Sequence, residues 1–155
     1  MQTALHTKHV RAWESFDYRC VYYKDFDFKL FENIDCKFKT TKGRKSYNDI
    51  IIMADTETSK EVPAEICKNY VVAWTISIRA FGENIVTLYG TKPSEMVICI
   101  SKMIMAMQGD KTIIYFHNLS YDWVFLRKHM MQEWGTPEHQ LNVKPHYPIS
   151  IDFAN

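Results

Sequence analysis

Between Asp49 and Ala54 the chain reads DIIIMA, and Asp55-Thr56-Glu57-Thr58 follows at once. A short continuous apolar run, in place of an apolar–polar alternation, is the pattern of a strand buried on both faces. It predicts a central strand, and a central strand demands neighbours. Tyr70–Phe81 (YVVAWTISIRAF) and Asn84–Tyr89 (NIVTLY) supply two, joined by a tight turn at Gly82-Glu83. Pro93-Ser94-Glu95 opens a helix reaching Gln108, with Pro in its first turn and Gly109 just past its end. Lys111–Phe116 (KTIIYF) predicts a fourth strand. Ser120 is the candidate N-cap of a second helix to Trp134, stopped by Gly135 and Pro137. From Thr136 to Asn155 the chain reads as loop, apart from a short strand at Pro148–Phe153.

The order strand, strand–turn–strand, helix, strand, helix predicts an α/β domain whose mixed sheet is flanked by helices. That order is compatible with a ribonuclease H-like fold, in which the fourth strand lies parallel to the first. A polar, basic stretch at Thr40–Asn48 (TTKGRKSYN) separates residues 1–48, an N-terminal extension, from a domain over residues 49–155. The stretch suits a solvated linker or a contact with a phosphate backbone. Before it, Phe26, Phe28 and Leu30 alternate with Asp25, Asp27 and Lys29, the period of a half-exposed strand.

Composition narrows the function classes. With 155 residues, 46% of them hydrophobic, the chain can bury a real core in one domain. Nine Tyr, nine Phe and four Trp serve a packed interior or a surface on which bases stack. The net charge of +1 neither demands nor excludes a nucleic-acid partner. Cys20, Cys36, Cys67 and Cys99 form no CxxC pair, which argues against a zinc ribbon or disulfide scaffold and for a reducing, intracellular setting. The first residues lack the apolar core of a signal peptide. Met96–Met107, interrupted by Ser101 and Lys102, is too short to span a bilayer. Expected, then, is a cytoplasmic protein without a membrane partner.

Two acidic motifs carry the candidate chemistry. In extended backbone Asp55 and Glu57 project to the same side, and a divalent cation relieves the repulsion between two such carboxylates. Hard oxygen ligands suit Mg²⁺ or Mn²⁺. A D-x-E triplet alone equally fits a solvated strand end. The second motif, His117-Asn118-Leu119-Ser120-Tyr121-Asp122, lies where the fourth strand gives way to the second helix. In the first turn of that helix Asp122 has favourable N–H groups and the helix dipole nearby. Helix stabilisation alone accounts for Asp122, but not for the polar His117, Asn118 and Tyr121 around it. If the two strands are neighbours, three carboxylates converge on one sheet edge and suit two-metal phosphodiester hydrolysis.

DTET and HNLSYD together resemble the first two exonuclease motifs, D-x-E-T and H-N-x-x-[FY]-D, of protein-primed family B DNA polymerases from bacteriophages and linear plasmids. Order, spacing and strand context agree over roughly residues 48–134, and PHYPISIDF is similar to the strand that follows in those proteins. The resemblance implies a ribonuclease H-like 3′→5′ proofreading exonuclease in which Asp55, Glu57 and Asp122 are catalytic and bind two Mg²⁺ or Mn²⁺ ions. It also implies that Thr58, Tyr115, His117, Asn118, Tyr121 and Phe125 contact or shape the site for a single-stranded DNA 3′ end. For Tyr115 and Phe125, ordinary core packing is the alternative.

The departures from the family are as informative. Its third motif, Tyr-x3-Asp, has no match after Asp122: Asp152 is the only later Asp, and Pro148 holds the place of the Tyr. Tyr23-x3-Asp27 has the right letters but precedes the first motif. Polymerase palm motifs are also missing. The expectation is an exonuclease domain incomplete at its C-terminus, the N-terminal region of a replicative polymerase with little activity alone. Its implied partners are the parent chain's polymerase domain, a terminal priming protein and the DNA 3′ end, in host cytoplasm if the gene is a phage's. Two other readings stay open: a stand-alone ribonuclease H-like nuclease, and a non-catalytic nucleic-acid-binding module.

Overall fold

The computed structural model describes residues 20–33, 50–60, 69–80, 83–107 and 111–154. The basic stretch Thr40–Asn48, Gly82, Gly109, Cys36 and Cys67 lie outside the described residues. The chain is a mixed α/β structure built on a five-stranded sheet. In chain order come β1 (Val21–Tyr22), two 3₁₀ turns (Tyr23–Asp25 and Phe28–Asn33), β2 (Ile50–Lys60), β3 (Asn69–Ala80) and β4 (Glu83–Gly90). Helix α1 (Pro93–Ala106), β5 (Ile114–Phe116), helix α2 (Leu119–Trp134), β6 (His139–Lys144) and β7 (Tyr147–Asp152) follow. The sheet order is β1-β4-β3-β2-β5, while β6 and β7 form a separate hairpin. Strand β2 runs antiparallel to β3 and parallel to β5. Strand β4 runs antiparallel to β3 and parallel to β1.

Alternation decides which sheet face is covered. Ile50, Ile52, Ala54 and Thr56 of β2, Trp74, Ile76, Ile78 and Ala80 of β3, and Val86 and Leu88 of β4 are all buried. They pack against Met96, Val97, Cys99, Ile100 and Met103 of α1 and Trp123, Leu126 and Met130 of α2. These helical positions recur at three- and four-residue steps, one stripe on each helix. Each fully buried large side chain contributes roughly 1.5–3 kcal/mol. The Trp134 indole N–H donates to Ser101 Oγ at 2.8 Å and ties the two helices together.

The opposite face corrects the expectation of a strand buried on both sides. Ile51 is 50% and Met53 46% exposed, because the register points them to a face that no described helix covers. Residues before β2 also differ from expectation. Phe28 and Leu30 lie in the second 3₁₀ turn and Phe26 caps the first, so none of them is in a strand. Asp27 explains this: its side chain accepts from the Lys29 N–H at 3.1 Å and its carbonyl from the Leu30 N–H at 3.2 Å. Such local bonds compete with a ladder. Tyr23, Phe26 and Phe31 are thereby buried in the same core as the sheet.

Both helix ends follow local chemistry. Pro93 opens α1, and Glu95 Oε2 accepts from the N–H groups of Lys92 (3.3 Å) and Thr91 (3.4 Å). Gly135, at φ 81°, ends α2 in a conformation that costs glycine nothing. The N-cap of α2 is Asn118, not Ser120, whose hydroxyl instead donates to the Pro148 carbonyl at 2.8 Å. The tail expected to be mostly loop is the β6–β7 hairpin, turned at Pro145-His146 with His146 at φ 66°. Cys20 and Cys99 are free thiols, and burial pushes the Cys99 thiol up to about 12. No helix among the described residues is long and apolar enough to cross a membrane.

Candidate functional site

Strand β2 outruns its parallel neighbour. Its pairing with β5 ends at Ala54↔Phe116, so Asp55, Thr56, Glu57 and Thr58 continue past the end of β5. Into that space comes the first turn of α2. Asn118 fixes the turn: its carbonyl accepts from the N–H groups of Tyr121 (2.9 Å) and Asp122 (3.0 Å), and its side chain also accepts from Tyr121 N–H at 3.4 Å. The two acidic motifs thus meet, from opposite sides of α1 in the sequence.

They meet through their hydroxyls. Thr56 Oγ1 donates to Asp122 Oδ1 at 2.5 Å, and Thr58 Oγ1 lies 2.5 Å from the Tyr121 hydroxyl. Tyr121 in turn sets its ring edge-on to Phe125, with centroids 5.3 Å apart at 66°. Thr56 is 6% and Asp122 1% exposed, the two buried polar residues among those described. Oδ2 of Asp122 is buried with no hydrogen-bond partner among the described residues. Burial holds the Asp122 carboxyl above the ordinary carboxylate range, and the nearby charge of Asp55 raises it further. The Thr56 hydroxyl and the backbone N–H groups of Thr56 and Asn118 pull against that rise.

The remaining residues read from the sequence fall around this pair. Asp55, half-buried, and Glu57, exposed, take the strand positions that alternate with inward-facing Thr56. A register shift between Glu57 and Thr58 turns the backbone next to them. Tyr115, 55% exposed, stands beside Met53 on the open sheet face. His117 and Asn118 are exposed, and Phe125 is half-buried. Asn118 serves here as a helix cap, a role the sequence reading gave to Ser120. Thr56 was absent from the residues singled out in the sequence. The signal for it was alternation: between two outward acids, the middle residue faces whatever the helix presents.

Whether these side chains suit a divalent cation turns on Asp122. Among the described residues, no group of three or more His, Cys, Asp or Glu side chains is gathered closely enough to hold a metal ion. Yet a buried carboxylate oxygen without a donor, with a second carboxylate close enough to perturb it, lacks a positive partner. Asp55 is that second carboxylate, on a strand position that alternates with inward-facing Thr56. A hard cation supplies the positive partner. Otherwise the site offers a proton-exchanging carboxyl beside two hydroxyls and a Tyr–Phe ring pair.

No protein-family model, curated protein or solved structure matches the chain.

Proposed function

We propose that this chain is the 3′→5′ exonuclease region of a DNA polymerase of the protein-primed family B type, acting on a single-stranded DNA 3′ end. The observation that carries the reading is the Thr56–Asp122 hydrogen bond, which joins two motifs 66 residues apart in one buried contact. The sheet supports it. The order β4-β3-β2-β5, with β5 parallel to β2 after a helical crossover, is compatible with a ribonuclease H-like arrangement. The first motif then runs along the end of β2, and the second bridges β5 and α2 beside it.

In this reading Asp55, Glu57 and Asp122 would hold Mg²⁺ or Mn²⁺, which when bound supplies a water activated for attack and charge neutralisation at the phosphate. Thr56 and the cap at Asn118 orient Asp122. Tyr121 and Phe125 offer ring faces to a terminal base, and Thr58 and His117 offer hydrogen bonds to phosphate or sugar. Tyr115 offers a further ring on the open sheet face, beside Met53.

The test uses 3′- and 5′-labelled single-stranded oligonucleotides with Mn²⁺. Shortening from the 3′ end is expected, weak in this chain and stronger once a downstream Tyr-x3-Asp is joined to it. Asp55→Ala or Asp122→Ala should lower the rate about 10²-fold or more. Shortening from the 5′ end, or cleavage indifferent to both substitutions, overturns the reading. One observation favours a second reading, a binding module without catalysis: the described residues gather no three-carboxylate group. Such a module binds oligonucleotide equally well in EDTA and gains no thermal stability from Mn²⁺.

A further inference from the structure

A carboxylate can turn about its Cβ–Cγ bond, and what stops that rotation decides which oxygen faces a ligand. At Asp122 the stop is visible. Oδ1 takes the Thr56 hydroxyl at 2.5 Å, and Oδ2 is left buried and bare. Thr56 is itself held, since it sits in the β2–β3 ladder opposite Trp74, which is wholly buried. A threonine at χ1 has few choices, and a ladder position with a packed neighbour removes more. The hydroxyl therefore acts as a fixed peg, and the carboxylate turns its free lone pairs the other way.

We propose that Thr56 is a positioning residue: its hydroxyl pins Oδ1 of Asp122 and so presents Oδ2 to a divalent cation. The inference rests on the reading of this site as a divalent-cation site, and adds Thr56, which stands between Asp55 and Glu57 in the first motif. It follows the general rule that partners which orient a ligand matter nearly as much as the ligand, typically 10–100-fold in metal affinity. The hydroxyl's proton must go to the carboxylate, because an ionised carboxylate only accepts. Thr56 Oγ1 is then itself left with acceptor capacity but no charge, so its part is orientation rather than ligation.

The experiment measures Mn²⁺ binding to the full chain by the loss of the free-ion electron paramagnetic resonance signal, beside the melting temperature in EDTA. Thr56→Val keeps the shape of the side chain and removes the hydroxyl, and Thr56→Ser keeps the hydroxyl and removes the methyl. The expected result is a loss of Mn²⁺ affinity of about 10-fold or more in Thr56→Val. Thr56→Ser should stay within about twofold of wild type, even if its methyl loss lowers the melting temperature more. A purely structural role would rank the variants by stability rather than by hydroxyl. Thr56→Ala repeats the comparison if Thr56→Val does not fold. Wild-type affinity in Thr56→Val or Thr56→Ala, with binding lost in Asp122→Ala, overturns the positioning role and leaves the site reading standing. No binding by the wild type, or binding unchanged in Asp122→Ala, overturns the site reading and the inference with it.

Discussion

A carboxylate that is 1% exposed, with one oxygen held by a threonine and the other bare, is costly to ionise. Unfolded, Asp122 titrates near the ordinary 3.8; folded, burial and then the charge of Asp55 hold it higher. Folding thus favours the protonated form. Its contribution is complete below the ordinary value and is lost as pH rises through the raised one. Asp122→Asn keeps the shape and removes the charge, so calorimetry in EDTA should show a higher melting temperature than wild type at neutral pH. In a chain of this size each 1 kcal/mol of relief raises the melting temperature by about 2–4 °C. The gap should close as pH falls through the raised value toward the ordinary one; a gap of constant size would sink the account. Gly90 makes the steric counterpart. A Cβ there would meet the Trp74 ring at 2.4–2.8 Å, and that ring is fully buried. Gly90→Ala should cost about 1–3 kcal/mol in urea unfolding, the ordinary penalty of overpacking. A variant as stable as wild type would show that the indole can move aside.

Among the elements, α1 depends on a side chain near its start. Glu95 accepts two N–H groups at the entrance of the helix and stands 3.6 Å from Lys24, whose side chain is 57% exposed. Glu95→Ala loses the cap and the ion pair, an expected fall of about 1 kcal/mol. Glu95→Gln keeps an acceptor for the N–H groups and loses only the exposed pair, so it should retain most of that stability. Equal falls in thermal unfolding would assign the effect to charge instead. The long strands and both helices were legible in the sequence because each leaves one face on the core, and burial writes its period into the residues. Strand β6 was not legible. All six of its residues are exposed, so HQLNVK carries no alternation, and its existence rests on backbone pairing with β7. Asp25–Leu30 misled for the opposite reason. An apolar alternation was present, but the bonds of Asp27 to Lys29 and Leu30 close the chain into a turn first.

At the scale of the whole molecule, the meeting of DTET with HNLSYD was legible in outline, since two motifs at the ends of adjacent parallel strands have to approach. The contact that joins them was not. Composition and spacing weigh acids, and the bond that forms runs through Thr56, whose inward direction depends on the strand's exact register. That same topology orders events in time. Strand β2 finds β3, and β3 finds β4, among residues next in the sequence, whereas β5 and Asp122 arrive from beyond α1. Short loops close at lower entropic cost than long ones. The meander is therefore expected to assemble with its acidic end still in water, and Asp122, the one buried carboxylate among the described residues, to lose its hydration last, against a wall already built. During synthesis, a chain that has emerged only as far as β4 carries the acids of its first motif and none of the burden of a buried charge.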